Sequence, residues 1–187
     1  RDKQLENYKH SLKKDQTLKE KNLKDQIHLI KSELSKYKIK PEYNKDLELL
    51  ENIKNLNKQL ENIKIQNIIK DKNKNIIKDE QIRSLTLRYQ VLTDFPPKEL
   101  RQIIDKSKKD IKSGIVVVFA IFEEKVGVAV GVTNDLTKEY DAVILVKIAS
   151  EVLEGKGGGG RKDFAQAGGA NKDKINEAFK ALRKKIN

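Results

Sequence analysis

Apolar residues in the first part of the chain recur at Leu5, Tyr8, Leu12, Leu23, Ile27, Ile30, Leu34 and Tyr37, with polar Gln16 and Lys19 filling two slots of the same pattern. Steps of three and four place these positions on one face of a long helix, so the spacing predicts one amphipathic helix here. Pro41 in "KIKPEYNKD" has no N–H and disfavours helix just before it, so it should end this helix or open the next. Leu49, Ile53, Leu56, Leu60 and Ile63 then step four-three-four-three, a heptad stripe with Asn67 next in register. A short connection between two such helices predicts an antiparallel hairpin. About 35 residues at about 1.5 Å each give an arm of about 50 Å. Because so narrow a stripe makes no globular core, the helices must pair with each other, with another copy of the chain or with further parts of the protein. Self-association is the preferred reading.

Beyond this arm the period changes. Leu85, Leu87, Tyr89 and Val91 alternate with polar residues in "LTLRYQV", a half-buried strand. "PPKELRQIIDKSKKDI" predicts a helix entered through Pro96 and Pro97, with Leu100, Ile103, Ile104 and Ile111 inward. "GIVVVFAIF" is a continuous β-branched and aromatic run, hence a buried central strand, and "KVGVAVGVT" pairs with it after a tight turn at Glu123 and Glu124. Gly127 and Gly131 in that second strand suggest close backbone approach or a bulge. "EYDAVILVKIASEVLEG" reads as a helix closed by Gly155 at its C-cap, and "NKDKINEAFKALRKKI" as a last helix capped by Asn171. The fold class expected is α+β: a long antiparallel helical hairpin or coiled coil, then a small, mostly antiparallel sheet with flanking helices on one side. Residues 1–82 are assigned to the oligomerising arm and residues 83–187 to the globular domain.

Composition narrows the function. The chain of 187 residues carries 40 Lys and Arg against 28 Asp and Glu, a net charge of +12, which points to a polyanionic partner. The excess is spread evenly along the chain, however, and an abundance of Lys, Ile and Asn fits drifted composition as well as nucleic-acid binding. There is no cysteine, which excludes disulfides, thiol nucleophiles and Cys metal sites and fits a reducing cytoplasm. No methionine occurs, even at position 1, so the chain reads as a piece of something longer. No apolar run approaches a membrane span.

All ten glycines lie between Gly114 and Gly169, and they crowd into "GKGGGGRKDFAQAGG" at positions 155–169. A flexible linker is the ordinary reading of such a run. The sharper reading is an anion cradle: backbone N–H groups left uncovered by Gly157, Gly158, Gly159 and Gly160, with Lys156, Arg161 and Lys162 as cations. Asp163 would cap a short helical turn through Phe164, Ala165 and Gln166. The guanidinium of Arg161 matches a phosphate or a base edge. Gln166 either reads a base edge or bonds local backbone, and Phe164 either stacks on a base or packs inward. The segment matches neither a Walker loop nor a dinucleotide-binding fingerprint.

This segment, preceded by "GVTNDL" and "AVILVKIASEVLE", resembles the C-terminal domain of alanyl-tRNA synthetase, whose usual form runs Gly-Lys-Gly-Gly-Gly-Arg-Pro-Asp-Met-Ala-Gln-Ala-Gly-Gly. The match covers about Leu85 to the end, and the preceding arm agrees with that family's layout. It departs in one extra glycine, in Lys162 where proline is usual and in Phe164 where methionine is usual. The resemblance implies a helical part that mediates oligomer contacts and a globular part that binds the elbow of tRNA-Ala, coupling aminoacylation to editing. From the chemistry of the loop taken together with this resemblance, the tRNA-binding residues expected are Lys156, Gly157, Gly158, Gly159, Gly160, Arg161, Lys162 and Gln166. The related nucleic-acid-binding domain of DHH-type phosphoesterases and the tail of a free-standing alanyl-tRNA editing hydrolase are the alternatives.

Catalytic chemistry is not legible. The two histidines, His10 and His28, stand eighteen apart on the first helix, and no metal set or nucleophile–base pair appears. The expectation is therefore that this segment catalyses nothing and holds no cofactor. The ATP, magnesium and zinc that the resemblance implies would serve centres upstream.

Overall fold

In the computed structural model, which describes residues 1–187, the contacts divide the chain into two compact units, residues 1–66 and 67–187. In the first unit the amphipathic face of helix α1 (Asp2–Lys36) is covered only toward its end. There Ile27, Ile30 and Leu34 join Leu56, Leu60 and Ile63 of helix α2 (Leu49–Lys70) in one apolar cluster. The connection between the helices is longer than the sequence suggested, because residues 37–48 pack along α2. Asn52, fully buried, accepts the Asn44 N–H at 3.0 Å and donates to the Asn44 and Leu47 carbonyls. Gln59 does the same for Lys40 and Glu42, at 2.9 Å each, and the Lys31 ammonium sits 3.8 Å from the Tyr43 ring centre. Earlier on α1, Leu5, Tyr8, Leu12 and Leu18 stand exposed, Tyr8 at 63 %.

The second unit is built on a six-stranded sheet in the order β1-β2-β3-β4-β6-β5. Its strands are β1 (Asn75–Ile82), β2 (Leu85–Thr93), β3 (Gly114–Phe122), β4 (Lys125–Val132), β5 (Gly158–Gly160) and β6 (Phe164–Gly169). Strand β1 lies inside the residues assigned above to the arm. It pairs antiparallel with β2 from Asn75–Leu92 to Ile82–Leu85. Its adjacent Ile76 and Ile77 gave no alternation to read, and its place is fixed by pairing rather than by periodicity. β2 and β3 run parallel, joined through helix α3 (Leu100–Ile111), while the remaining pairings are antiparallel. The β3–β4 hairpin turns at Glu123 and Glu124, both with positive φ (49° and 69°), the primed geometry that matches strand twist.

Helices cover both faces of the sheet rather than one. Val126, Val128, Val130 and Val132 of β4 face helix α4 (Ala142–Val152) and helix α5 (Ile175–Ile186), in a core with Leu87, Val117, Phe119, Leu145, Val146 and Leu182. The alternate positions face α3. Gly127 is glycine because a Cβ there would meet Pro97 at 2.9 Å, and Gly131 because one would meet Ile104 at 2.4 Å. On that face Arg88, 8 % exposed, donates to both carboxylate oxygens of Asp79 (2.8 and 3.0 Å) and to Asp110 (3.1 Å). The hydrogen bonds to Asp79 raise its pKa against the opposing effect of burial, so β1, β2 and α3 share one charge network.

Helix α4 ends differently from the expectation. The left-handed residue is Glu154 (φ 61°), and Gly155 comes one place later. The Glu154 N–H reaches the Glu151 carbonyl and the Gly155 N–H reaches the Ser150 carbonyl at 2.8 Å, the two bonds of a Schellman cap. Gly155 is required for space instead, since its Cβ would lie 1.9 Å from the Gly168 oxygen. Asn171 caps as expected, its side chain accepting the Asp173 N–H at 3.0 Å in a 3-10 turn, Lys172–Lys174, that leads into α5.

Candidate nucleic-acid interface

The glycine-rich segment forms a strand pair at one edge of the sheet, and the helical turn expected after Asp163 is absent. Three glycines make β5, and β6 runs straight on from Phe164, because Ala165 and Ala167 alternate into the core while Phe164, Gln166 and Gly168 take the other face. The chain reverses at Lys162 and Asp163: Arg161 N–H donates to Phe164 O at 2.7 Å and Phe164 N–H returns to Arg161 O at 3.3 Å. Alternation along an antiparallel ladder makes Gly159 and Gln166 the next mutual pair and turns the N–H groups of Gly158 and Gly160 toward the open edge. Uncovered amides are therefore present, supplied by a sheet edge and not by a helix start.

The segment is held from three elements. Ser150 of α4 is fully buried; its hydroxyl accepts the Gly157 N–H at 3.2 Å and donates to the Gly168 carbonyl at 2.8 Å. Lys108 of α3 donates to the Asp163 carbonyl at 2.6 Å, and the same oxygen takes the Val132 N–H at 2.9 Å. Burial lowers the Lys108 pKa, against the opposing pull of Asp163 and Asp105. The Ala142 N–H closes on the Lys162 carbonyl at 2.9 Å.

The glycines differ in what requires them. A Cβ on Gly158 would meet Gln166 O at 2.1 Å, one on Gly160 Phe164 O at 2.4 Å, and Gly157 has φ +90°. Gly159 and Gly168 meet nothing within 4 Å and have no left-handed conformation, so neither strain nor a neighbour demands glycine there. What they leave is bare backbone open to an approaching molecule.

Around this bare strip, Lys156, Arg161 and Lys162 are exposed, Arg161 with 68 % of its side chain. Its contact with Asp163, 3.8 Å and solvent-facing, is too weak to hold it. Gln166 is half-buried and donates its amide N–H to the Pro97 carbonyl at 2.7 Å, a bond from β6 to the turn before α3 that leaves the amide oxygen free. Phe164 is half-buried with the Arg101 guanidinium 5.3 Å above its ring. Neither Arg101, an outward position on α3 that meets this edge only through the fold, nor Ser150, one small polar residue in an apolar helix, was legible from the local pattern.

Residues 85–187 match the family model described as the DHHA1 domain. An alanine–tRNA ligase from Hyphomonas neptunium is 48 % identical over 104 residues, 56 % of this chain and 12 % of that protein. One from Parvibaculum lavamentivorans is 53 % identical over 88 residues, 46 % of this chain and 10 % of that protein. The crystal structure of the C-Ala domain from Aquifex aeolicus alanyl-tRNA synthetase is similar at 34 % identity and a TM-score of 0.54, covering 57 % of this chain and 96 % of that one. The chain thus spans about a tenth of the length of these curated relatives. With more than half its residues matched and the sheet shared, the chain belongs to the DHHA1 domain family and is similar in sequence and fold to the C-Ala domain of alanyl-tRNA synthetases.

Proposed function

We propose that this chain is the C-terminal, tRNA-binding and oligomerising part of an alanine–tRNA ligase, the enzyme that attaches alanine to tRNA-Ala and edits mischarged tRNA. In this reading the β5 edge receives the sugar-phosphate backbone at the elbow of tRNA-Ala, holding one tRNA for both aminoacylation and editing. The observation that carries it is the bare backbone at Gly159 and Gly168 beside Arg161, Lys156 and Lys162. The edge-facing amides of Gly158 and Gly160 and an exposed guanidinium, in only a weak contact with Asp163, together suit phosphate oxygens, and the free oxygen of Gln166 suits an unstacked base, which a folded RNA exposes at loops. The alanine–tRNA ligase relatives favour this over a phosphoesterase or free-standing editing parent.

The helical arm supports the oligomer part of the reading. Leu5, Tyr8 and Leu12 leave an exposed apolar stripe on α1 of the kind that pairs with a second copy. ATP, magnesium and zinc would belong to other parts of such an enzyme.

The test is binding of intact tRNA-Ala against a tRNA with a disrupted elbow, titrated at several salt concentrations. Affinity should fall with salt through counterion release. Arg161→Ala should cost about 1–3 kcal/mol. Equal binding of both tRNAs, or no loss in the variant, overturns the assignment of this edge. Sedimentation of the full chain decides the arm: a monomer at high concentration overturns self-association.

A further inference from the structure

At the far edge of the sheet from the glycine strip, β1, β2 and α5 line a cleft of about 350 Å³. That volume falls within the roughly 300–1,000 Å³ typical of small-molecule sites. Its inner wall is aromatic. Tyr89 and Phe179, both half-buried, meet at 4.6 Å between ring centres, tilted by 54°, and Tyr89 also leans on Phe119 at 6.0 Å. The Tyr89 hydroxyl donates to the Asn176 amide oxygen at 3.2 Å, and burial raises its pKa, which keeps it a donor. The Asn176 amide N–H groups then point to no partner in the fold.

The rim is cationic. Lys78 and Lys180 are exposed and make no ion pair, and Arg183 shares Glu80. The other carboxylate at the rim, Asp79, is already held by Arg88. So the cleft joins partly exposed aromatic rings, a free amide donor and two unneutralised ammonium groups within one small volume. Aromatic faces favour a stacked planar ring, an amide favours its polar edge, and clustered ammoniums favour a phosphate.

We propose that this cleft binds a single nucleotide, with its base against the Tyr89–Phe179 pair, its edge at Asn176 and its phosphate between Lys78 and Lys180. Two sources share this chemistry: a free mononucleotide, or one unstacked nucleotide of an RNA strand. The inference stands apart from the glycine edge, since none of these residues lies there.

The experiment is a nitrogen-detected NMR titration of the full chain with adenosine monophosphate, inorganic phosphate and a short single-stranded RNA in separate arms. The expected result is movement of the amides of Lys78, Tyr89, Asn176 and Lys180 together. Saturation by the mononucleotide identifies the free source, and saturation by the RNA alone identifies the strand. The double variant Lys78→Gln/Lys180→Gln, altered only at exposed positions, should weaken binding at least about tenfold. Arg161→Gln should leave the mononucleotide-induced movement of these four cleft amides unchanged, so failure at the glycine edge and failure here are told apart. The proposal is overturned if neither nucleotide arm moves these amides at up to about 10 mM, a range that captures even weak sites. It is also overturned if phosphate alone moves them as strongly as the mononucleotide, or if the double variant binds as before.

Discussion

Gly158 and Gly159 are neighbours of identical composition in one short strand, and the fold assigns them opposite fates on substitution. In Gly158→Ala the new Cβ would lie 2.1 Å from Gln166 O and 2.5 Å from Ala167 Cβ, both on the strand that β5 pairs with. Neither can withdraw, since Ala167 is buried and Gln166 is tied to Pro97. β5 must therefore separate from β6, losing the mutual pair at Gly159 and Gln166, two hydrogen bonds of about 1 kcal/mol each. Reduced freedom of the unfolded chain returns about 0.4–1 kcal/mol, which leaves a net loss of about 1–2 kcal/mol. In Gly159→Ala the Cβ meets nothing within 4 Å, so the same unfolded-state effect alone applies and stability should hold or rise slightly. Urea unfolding of both variants measures this contrast as a difference in midpoint at constant slope. Binding of tRNA-Ala should show a different order: Gly159→Ala, though fully stable, places a methyl where RNA backbone is to approach, and should weaken binding about tenfold, or about 1.4 kcal/mol. Equal midpoints for the two variants would refute the assigned close contacts. A stable Gly159→Ala with full affinity would refute the role of the bare strip.

Three further outcomes follow from the packing. Ser150→Ala removes the one side chain bonded to both Gly157 and Gly168 and should cost about 1–3 kcal/mol, with faster amide exchange across residues 157–160 as the local readout. Arg88→Met leaves Asp79 and Asp110 facing each other without their shared cation; because both are about half exposed, the loss should be about 1–3 kcal/mol in thermal unfolding, not the larger value of a fully buried pair. The Asp135 carboxylate takes hydroxyl hydrogen bonds from Ser113 first and Thr133 second, which hold its pKa below the ordinary 3.8. A folded value below the unfolded one stabilises fully above the unfolded value and is lost as pH falls through the folded one. Acid titration should therefore find the limb below about pH 4 shallower in Asp135→Asn than in the parent chain.

The parts of the fold that were legible from sequence are those where side chains impose a period. The run of β3, the helices α3, α4 and α5, and the inward Leu100, Ile103 and Ile104 of α3 followed from pattern, with Ile111 only partly buried. β4 held more than was taken from it: its valines alternate with Gly127, Ala129 and Gly131, and a small residue at every second place is the mark of a helix packed close on that face. β5 and β6 were illegible for a physical reason. Glycine has no side chain to bury and alanine favours helix, so "GGGG" and "FAQAGG" carry no strand propensity and owe their conformation to the β4 edge they pair with. The candidate residues were identified from the segment itself, whereas Arg101, Ser150 and Lys108 reach it from α3 and α4 across sequence distances that no local pattern spans.

A sheet that ends in three residues without side chains has given up the ordinary means of keeping other strands away. Natural edges are blunted by bulk, proline or inward charge, and β5 has none of these; only Lys156, Arg161 and Lys162 stand guard at its ends. The same nakedness that admits a phosphate chain would admit a stray strand, with like-charge repulsion as the sole deterrent. Salt should then act on this edge in two opposite directions, releasing nucleic acid while inviting one molecule to zip onto the next.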